Sequence, residues 1–464
     1  MRPPFAVQSS DGRSPTVSAQ RVVNAFPEIQ PEDAKARLVL FGTPGARSFA
    51  TVGAGPLKAM IATAGALYCV SGPSVYKVTS DGTATLLGSV PDVANVTMER
   101  NRLQVIICAP PEMYVLTTAT DTLTQVTDSD FPGASSVAVL DGYAIFTKPG
   151  SDEWGLTAID DASDIDALDF ATAESAPDNL VRAFVDHREL WLFGEQTTEV
   201  WYNAGGADFP FQRVSGAHLE TGCGAFGTVA KIDNSVFWLG DDYKVYRAQG
   251  YQGTRISNHA IEEQVRKITN KADAFAWTYN QGGHAFYVLT FPNGGRTWVY
   301  DAATQLWHER ESYGQARYRW NAAAYAFGKV IVGDQYSGGL YELDMDTFTE
   351  AGQPLVTRVI GPPVHADGKR AFASFLEVEF ENGVGLTTGQ GSAPQVALRW
   401  SDNDGRNWSP EYWRGIGAIG DGTARATWSR LGSFRKRIYQ ISISDPVKRV
   451  IVAANPELTA SPRN

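Results

Sequence analysis

Cysteine is scarce in this chain of 464 residues: Cys69, Cys108 and Cys223 are isolated and odd in number. No disulfide framework and no zinc-ligand spacing can be built from them. Cys69 and Cys108 lie in apolar strand-like runs (LYCV, VIIC), where a thiol acts as a small hydrophobe. Histidine is also sparse, with six residues, and none has a second His, Cys or carboxylate at a strong metal-site spacing. No run of about 18 apolar residues occurs, so no membrane-spanning helix is expected, and the opening Met1-Arg2-Pro3-Pro4-Phe5 does not read as a signal peptide. These shortages fit synthesis in a reducing cytosol and give no anchor in a bilayer.

Helical periodicity is nearly missing too. The one clear candidate is His259 to Ile268 (HAIEEQVRKI), with Ser257 or Asn258 placed to cap it. The acidic segment Asp160 to Glu174 is expected to hold a turn or a short helix. What the chain has instead is 22 Phe, 18 Tyr, 12 Trp and 45 Gly, a composition of strands and tight turns. An all-β fold follows.

A two-strand unit recurs along it. Turns are expected near Gly65, Asn101, Gly142, His187, Asn234, Gly283 and Gly328, at spacings of roughly 36 to 49 residues, the period of propeller blades. An apolar run follows each turn, as in Leu67 to Val70 or Val236 to Leu239. A strand centred on an aromatic comes next: Tyr76, Tyr114, Trp201, Tyr246, Trp298 and Tyr341, with Trp154 to Ile159 filling that place in the less regular third unit. Stacking such sheets in a ring buries faces that a lone sheet leaves wet. The count is seven, with six possible if a terminal unit belongs to a flanking domain; two or three separate sandwiches are the competing arrangement.

Three domains are therefore expected: an extended N-terminal arm (1–37) in which Val22 to Phe26 makes one strand, a β-propeller (38–368), and a C-terminal β-sandwich (369–464). The last shows longer strands, Phe375 to Phe380, Val396 to Trp400 and Tyr439 to Ser444, and a glycine-rich loop from Gly383 to Pro394. The formal net charge of −11 is split: about −16 in 38–368 and about +4 in 369–450. An acidic body repels the phosphate backbone of nucleic acid.

Catalytic patterns do not assemble. Ser401-Asp402-Asn403-Asp404-Gly405-Arg406-Asn407-Trp408 resembles the Asp-box turn of sialidase propellers, with Asn403 and Asn407 in place of Asp and Thr. Such a motif folds a hairpin by bonding its short side chains to local backbone, and carries no chemistry. Asp160-Asp161, Asp164/Asp166 and Asp344/Asp346 lack the glycine and closing glutamate of a calcium loop. No nucleophile elbow or phosphate-cradling lysine is present. The expectation is a non-enzyme without cofactor or metal. A carbohydrate-binding or glycan-cleaving propeller is the alternative, and a monomeric peptide-binding scaffold a third.

Strings in order along the chain carry a family resemblance. They are Asn24-Ala25-Phe26-Pro27-Glu28, Thr43-Pro44-Gly45, Phe193 to Tyr202 (FGEQTTEVWY), Phe209-Pro210-Phe211, Gly222-Cys223-Gly224-Ala225, Arg255 to Glu262 (RISNHAIE), and Thr297 to Asp301 (TWVYD) with Trp307 to Arg310. The C-terminal Trp400 to Ser409 (WSDNDGRNWS) with Arg430 to Lys448 is similar to a domain found across phage tail proteins. Together these resemble the tail nozzle, or packaged-DNA stabilisation, proteins of short-tailed bacteriophages, the podovirus tail hub. The resemblance implies a homohexameric ring in the virion tail, below a head-to-tail adaptor protein. It implies a channel that DNA passes without specific binding, retention of the packaged genome, and docking of a tail spike or fibre and a tail needle or plug. Candidate interface residues are Asn24, Phe26, Pro27 and Glu28 near the start and the basic cluster Arg430, Arg435, Lys436 and Arg437, whose bland alternative is a charged, protected strand edge.

Overall fold

The computed structural model of the protein describes residues 5–174, 176–365 and 369–460. Antiparallel sheets of four strands follow one another around an axis. Blade 1 runs from Leu57–Ala62 to Ala84–Ser89, and blade 2 from Thr97–Arg100 to Thr122–Gln125. Blade 3 runs from Ser136–Leu140 to Phe170–Thr172, blade 4 from Leu180–Asp186 to Phe211–Leu219, and blade 5 from Ala230–Ile232 to Gln252–Arg255. Blade 6 spans Phe275–Gln281 to Leu306–Glu309. Blade 7 has three strands of its own, Trp320–Ala326, Lys329–Asp334 and Gly339–Asp344, and borrows its outer strand, Gly45–Thr51, from the other end of the chain. The first strand of blade 7 packs on the first strand of blade 1, so the wheel closes. Seven blades are present, as counted in the sequence, and all seven expected turns join a first strand to a second.

The wheel is held by apolar faces pressed between neighbours. Val70 and Val75 of blade 1 pack with Ile107 and Leu116 of blade 2; Ile145 and Trp154 of blade 3 pack with Leu190 and Leu192 of blade 4. Each fully buried side chain of this size contributes about 1.5–3 kcal/mol, which is why the second strands are unbroken apolar runs. Gly45 shows how tightly the closing strand seats. A Cβ there would lie 2.2 Å from the carbonyl oxygen of Thr347.

The second body is a β-sandwich. One sheet is ordered Ala25–Ile29, Leu38–Gly42, Val450–Ala460, Ala371–Phe380, Ala426–Ser429. The facing sheet contains Ala19–Val23, Thr357–Ile360, Lys436–Ile443, Gln395–Ser401 and Tyr412–Gly415. Val22, Leu40, Leu376, Trp428 and Ile441 share its core. The residues expected to form an arm thus supply a strand to each sheet. Val22 to Phe26 is not one strand: the backbone turns at Asn24, whose φ is 54°, and the chain crosses from one sheet to the other. Val23 pairs in parallel with Glu309, joining the sandwich to the outer strand of blade 6.

The only α-helix among the described residues spans His259–Lys267, and the Asn258 side chain caps it by accepting from the amides of Ala260 and Ile261. The acidic segment from Asp160 forms turns, with Asp161 and Asp166 accepting from the amides of Ser163 and Leu168, before it enters the outer strand of blade 3 at Phe170.

Candidate assembly surface

The first group of candidate residues lies at the seam between wheel and sandwich. Asn24 is buried, and its side-chain amide donates to the carbonyls of Glu311 (2.9 Å) and Val356 (2.8 Å) while accepting from the amide of Glu311 (3.2 Å). Phe26 is buried against Phe286, His284 and Phe41, and Pro27 is buried beside it. Glu28 is the half-buried end of the motif, its carboxylate 3.5 Å from Nε2 of His284. The structure therefore places Asn24, Phe26 and Pro27 in the chain's interior, where they join its two bodies.

Charge is concentrated at this seam. Arg21 forks onto Glu309, with Nη2–Oε2 at 2.5 Å, and also meets Glu311 at 2.6 Å. Burial disfavours the Arg21 charge, but the two carboxylates more than offset it and raise its pKa. Burial likewise opposes ionisation of Glu309, yet Arg21 and Arg296 hold its carboxyl below the ordinary range. Arg449 is buried; it donates to the carbonyls of Leu355 (2.6 Å) and Thr43 (3.1 Å), and burial with Arg310 nearby pushes it down to about 9. Burial, then Arg310, pushes the imidazole of His308 to about 3, so it is neutral. Sequence strings such as Trp307 to Arg310 mark this seam but give no sign of its ion pairs, because the partners lie up to 290 positions apart.

The basic cluster divides in two. Arg437 is buried and clamps Asp402 through Nε–Oδ1 (2.6 Å) and Nη2–Oδ2 (2.8 Å), donating also to the carbonyl of Leu431 (2.6 Å). Burial works against its charge, and Asp402 with Tyr439 outweighs that and raises its pKa. Lys436 pairs with Asp404, which also accepts from the hydroxyl of Thr16 (2.8 Å). Hydrogen bonds from Lys436 lower the pKa of Asp404. Arg430 and Arg435 are exposed. The polar turn that supplies both acids folds by local bonds: Ser401 Oγ accepts from the Gly405 amide (2.9 Å), and Asn403 Oδ1 from the Asn407 amide (2.9 Å). Two of its acids, unneeded for the turn, neutralise two of the four cations.

The three thiols are buried and free, and burial pushes Cys69 and Cys108 up to about 12. Among the described residues no three His, Cys, Asp or Glu side chains converge as a metal site, and no helix is long and apolar enough to cross a membrane.

Two family models match the chain in tandem. One, described as bacteriophage P22 Gp10, beta-propeller, matches residues 13–348; the other, bacteriophage P22 Gp10, beta-sandwich, matches 357–458. No curated protein matches the sequence directly. Among solved structures, the Neurospora crassa Pan2 WD40 domain aligns at 8% identity and TM-score 0.44, over 65% of this chain and 95% of that one. BamB from Moraxella catarrhalis aligns at 8% identity and TM-score 0.40, over 70% and 97%. The extracellular domain of a putative one-component system from B. thetaiotaomicron aligns at 8% and 0.44, over 86% of this chain and 58% of that one.

Proposed function

Since the chain belongs to the bacteriophage P22 Gp10 family and is thereby a structural protein of a phage tail, we propose that it forms the nozzle ring of that tail. In this reading copies assemble, as a hexamer, below a head-to-tail adaptor, extend the DNA channel, retain the packaged genome and anchor a spike or fibre and a needle or plug. The role is mechanical and non-enzymatic. The observation that carries it is the tandem family match over propeller and sandwich together.

Two physical features support the reading. The region 38–368 carries about −16, so a wall built from it would pass DNA without adhesion, which requires cations opposite phosphates. The seam between the bodies is locked by buried ion pairs and by Asn24, so load on one body is transmitted to the other. Of the proposed contact residues, Arg430 and Arg435 have side chains open to a partner, and Glu28 is partly open.

Electron microscopy of the purified chain mixed with its adaptor tests this. Closed rings with a hole as wide as duplex DNA are expected. A chain that stays monomeric with the adaptor present at high concentration, or a ring with a basic inner wall, overturns the reading.

A further inference from the structure

A cavity of about 550 Å³ opens at the axis of the wheel, between the starts of the first strands of the blades. Its charged lining is Lys58, Arg182, Lys231, Arg317 and Asp273: four cations against one carboxylate, in the most acidic region of the chain. Two of the cations are already balanced. Lys58 pairs with Asp92, and Lys231 with Asp186 at 2.5 Å.

The two arginines are not. Among the described residues neither Arg182 nor Arg317 has a carboxylate within ion-pair distance. Arg182 donates from Nη1 to the carbonyl of Phe226 (3.1 Å) and lies over the rings of Phe184 and Phe226, at 5.7 and 5.3 Å; its Nε is buried with no partner. Arg317 is 7% exposed, donates to Asn321 at 3.4 Å and lies 5.7 Å from the Phe275 ring. Burial pushes both guanidinium groups down. Glu99 attracts Arg182, and Tyr336, Asp273 and Asp334 attract Arg317, but none of them outweighs burial. An anion received directly by the two guanidinium groups therefore offsets a cost that remains in the empty state.

We propose that this axial cavity is a binding site for an acidic peptide segment, its carboxylates received by Arg182 and Arg317 and its intervening side chains by the aromatic wall. The guanidinium fork matches a carboxylate in two-point geometry. Arg182, on the first strand of blade 4, and Arg317, immediately before blade 7, both line this one cavity. Phe184, Phe226 and Trp277 line the space between and favour a chain with apolar side chains over an inorganic ion. The volume suits a few residues of peptide. This site is independent of ring formation, since one chain contains all of it.

The test uses the purified full-length chain and a synthetic peptide of alternating Glu and Leu, with the Gln-for-Glu peptide as its neutral twin. Binding is read by calorimetry. The acidic peptide should bind at least tenfold more tightly than its twin. The double variant Arg182→Gln/Arg317→Gln should lose at least tenfold affinity, Arg182→Lys should lose less, and Arg188→Gln, outside the cavity, should lose none. Equal binding of the two peptides, or no binding of the acidic one, overturns the proposal. So does inorganic phosphate that binds as tightly as the peptide and displaces it, which would make the cavity a simple anion site. The comparison of peptides on the unmodified chain holds even if a variant fails to fold.

Discussion

Asn24 and Glu311 exchange hydrogen bonds in both directions, side-chain amide to main-chain carbonyl at 2.9 Å and main-chain amide to side-chain oxygen at 3.2 Å. A third bond, to the carbonyl of Val356, ties in the strand that leads into the sandwich. Asn24 does this from a left-handed backbone, which asparagine tolerates better than most residues. Asn24→Ala removes all three bonds and keeps the backbone cost, so a loss of about 3–5 kcal/mol is expected. Asn24→Gly relieves the backbone and should cost less, about 2–3 kcal/mol. Denaturant unfolding of the two variants distinguishes this from a pure backbone effect, for which Gly would match the parent.

Most of the wheel is legible in sequence because a blade is a local object. Its strands are neighbours in the chain, its turns carry Gly, Asn or His, and its second strands are apolar throughout, so a period survives in the letters. The outer strand of blade 7 is the exception: Gly45–Thr51 pairs with Gly339–Asp344, and pairing over that separation leaves no periodic trace. The seam is hidden for the same reason. Asn24, Phe26 and Pro27 stand out as a motif, but only the folded chain shows them facing inward, and only there do Asp402 and Asp404 reach Arg437 and Lys436.

That clamp predicts an asymmetry. Arg437 is almost fully buried, whereas the Asp402 side chain is 45% exposed. Asp402→Ala leaves a buried guanidinium with only neutral polar neighbours, the Leu431 carbonyl and the Tyr439 hydroxyl, and a loss of about 2–4 kcal/mol is expected. Arg437→Met leaves an aspartate that water can solvate and keeps an apolar stem against Phe434 and Trp400, so about 1–2 kcal/mol is expected. Thermal unfolding of both variants and the double variant checks the order; equal losses would mean the pair acts only through packing.

Closure of the wheel should be sensitive at Gly45. Any Cβ there meets the backbone oxygens of Thr347 and Thr349, at 2.2 and 2.5 Å, and these cannot rotate away. Gly45→Ala is expected to cost about 1–3 kcal/mol and to speed proteolysis of the strand that follows. Gly65→Ala, in a turn with nothing within 4 Å, should stay within about 0.5 kcal/mol of the parent. Limited proteolysis with mass mapping reads both; an uncut outer strand in Gly45→Ala would show that the last blade does not depend on this fit.

Glu99, on the first strand of blade 2, gives the fold a pH dependence of unusual sign. Burial is the largest influence on it and holds its carboxyl at about 7, against an ordinary 4.5, despite the opposing pull of Arg182 and Arg100. Between those two values the folded chain keeps a proton that the unfolded chain has released. Stability from this group therefore falls as pH rises from about 4.5, and the loss is complete above about 7. Glu99→Gln removes the ionisation and so should gain about 2–3 kcal/mol at pH 8 while changing little at pH 4. Unfolding measured across that range decides the matter: a gain that is the same at both ends would assign the effect to side-chain packing, and a loss at pH 8 would mean that Arg182 depends on the ionised carboxylate and that the axial cavity already has its anion.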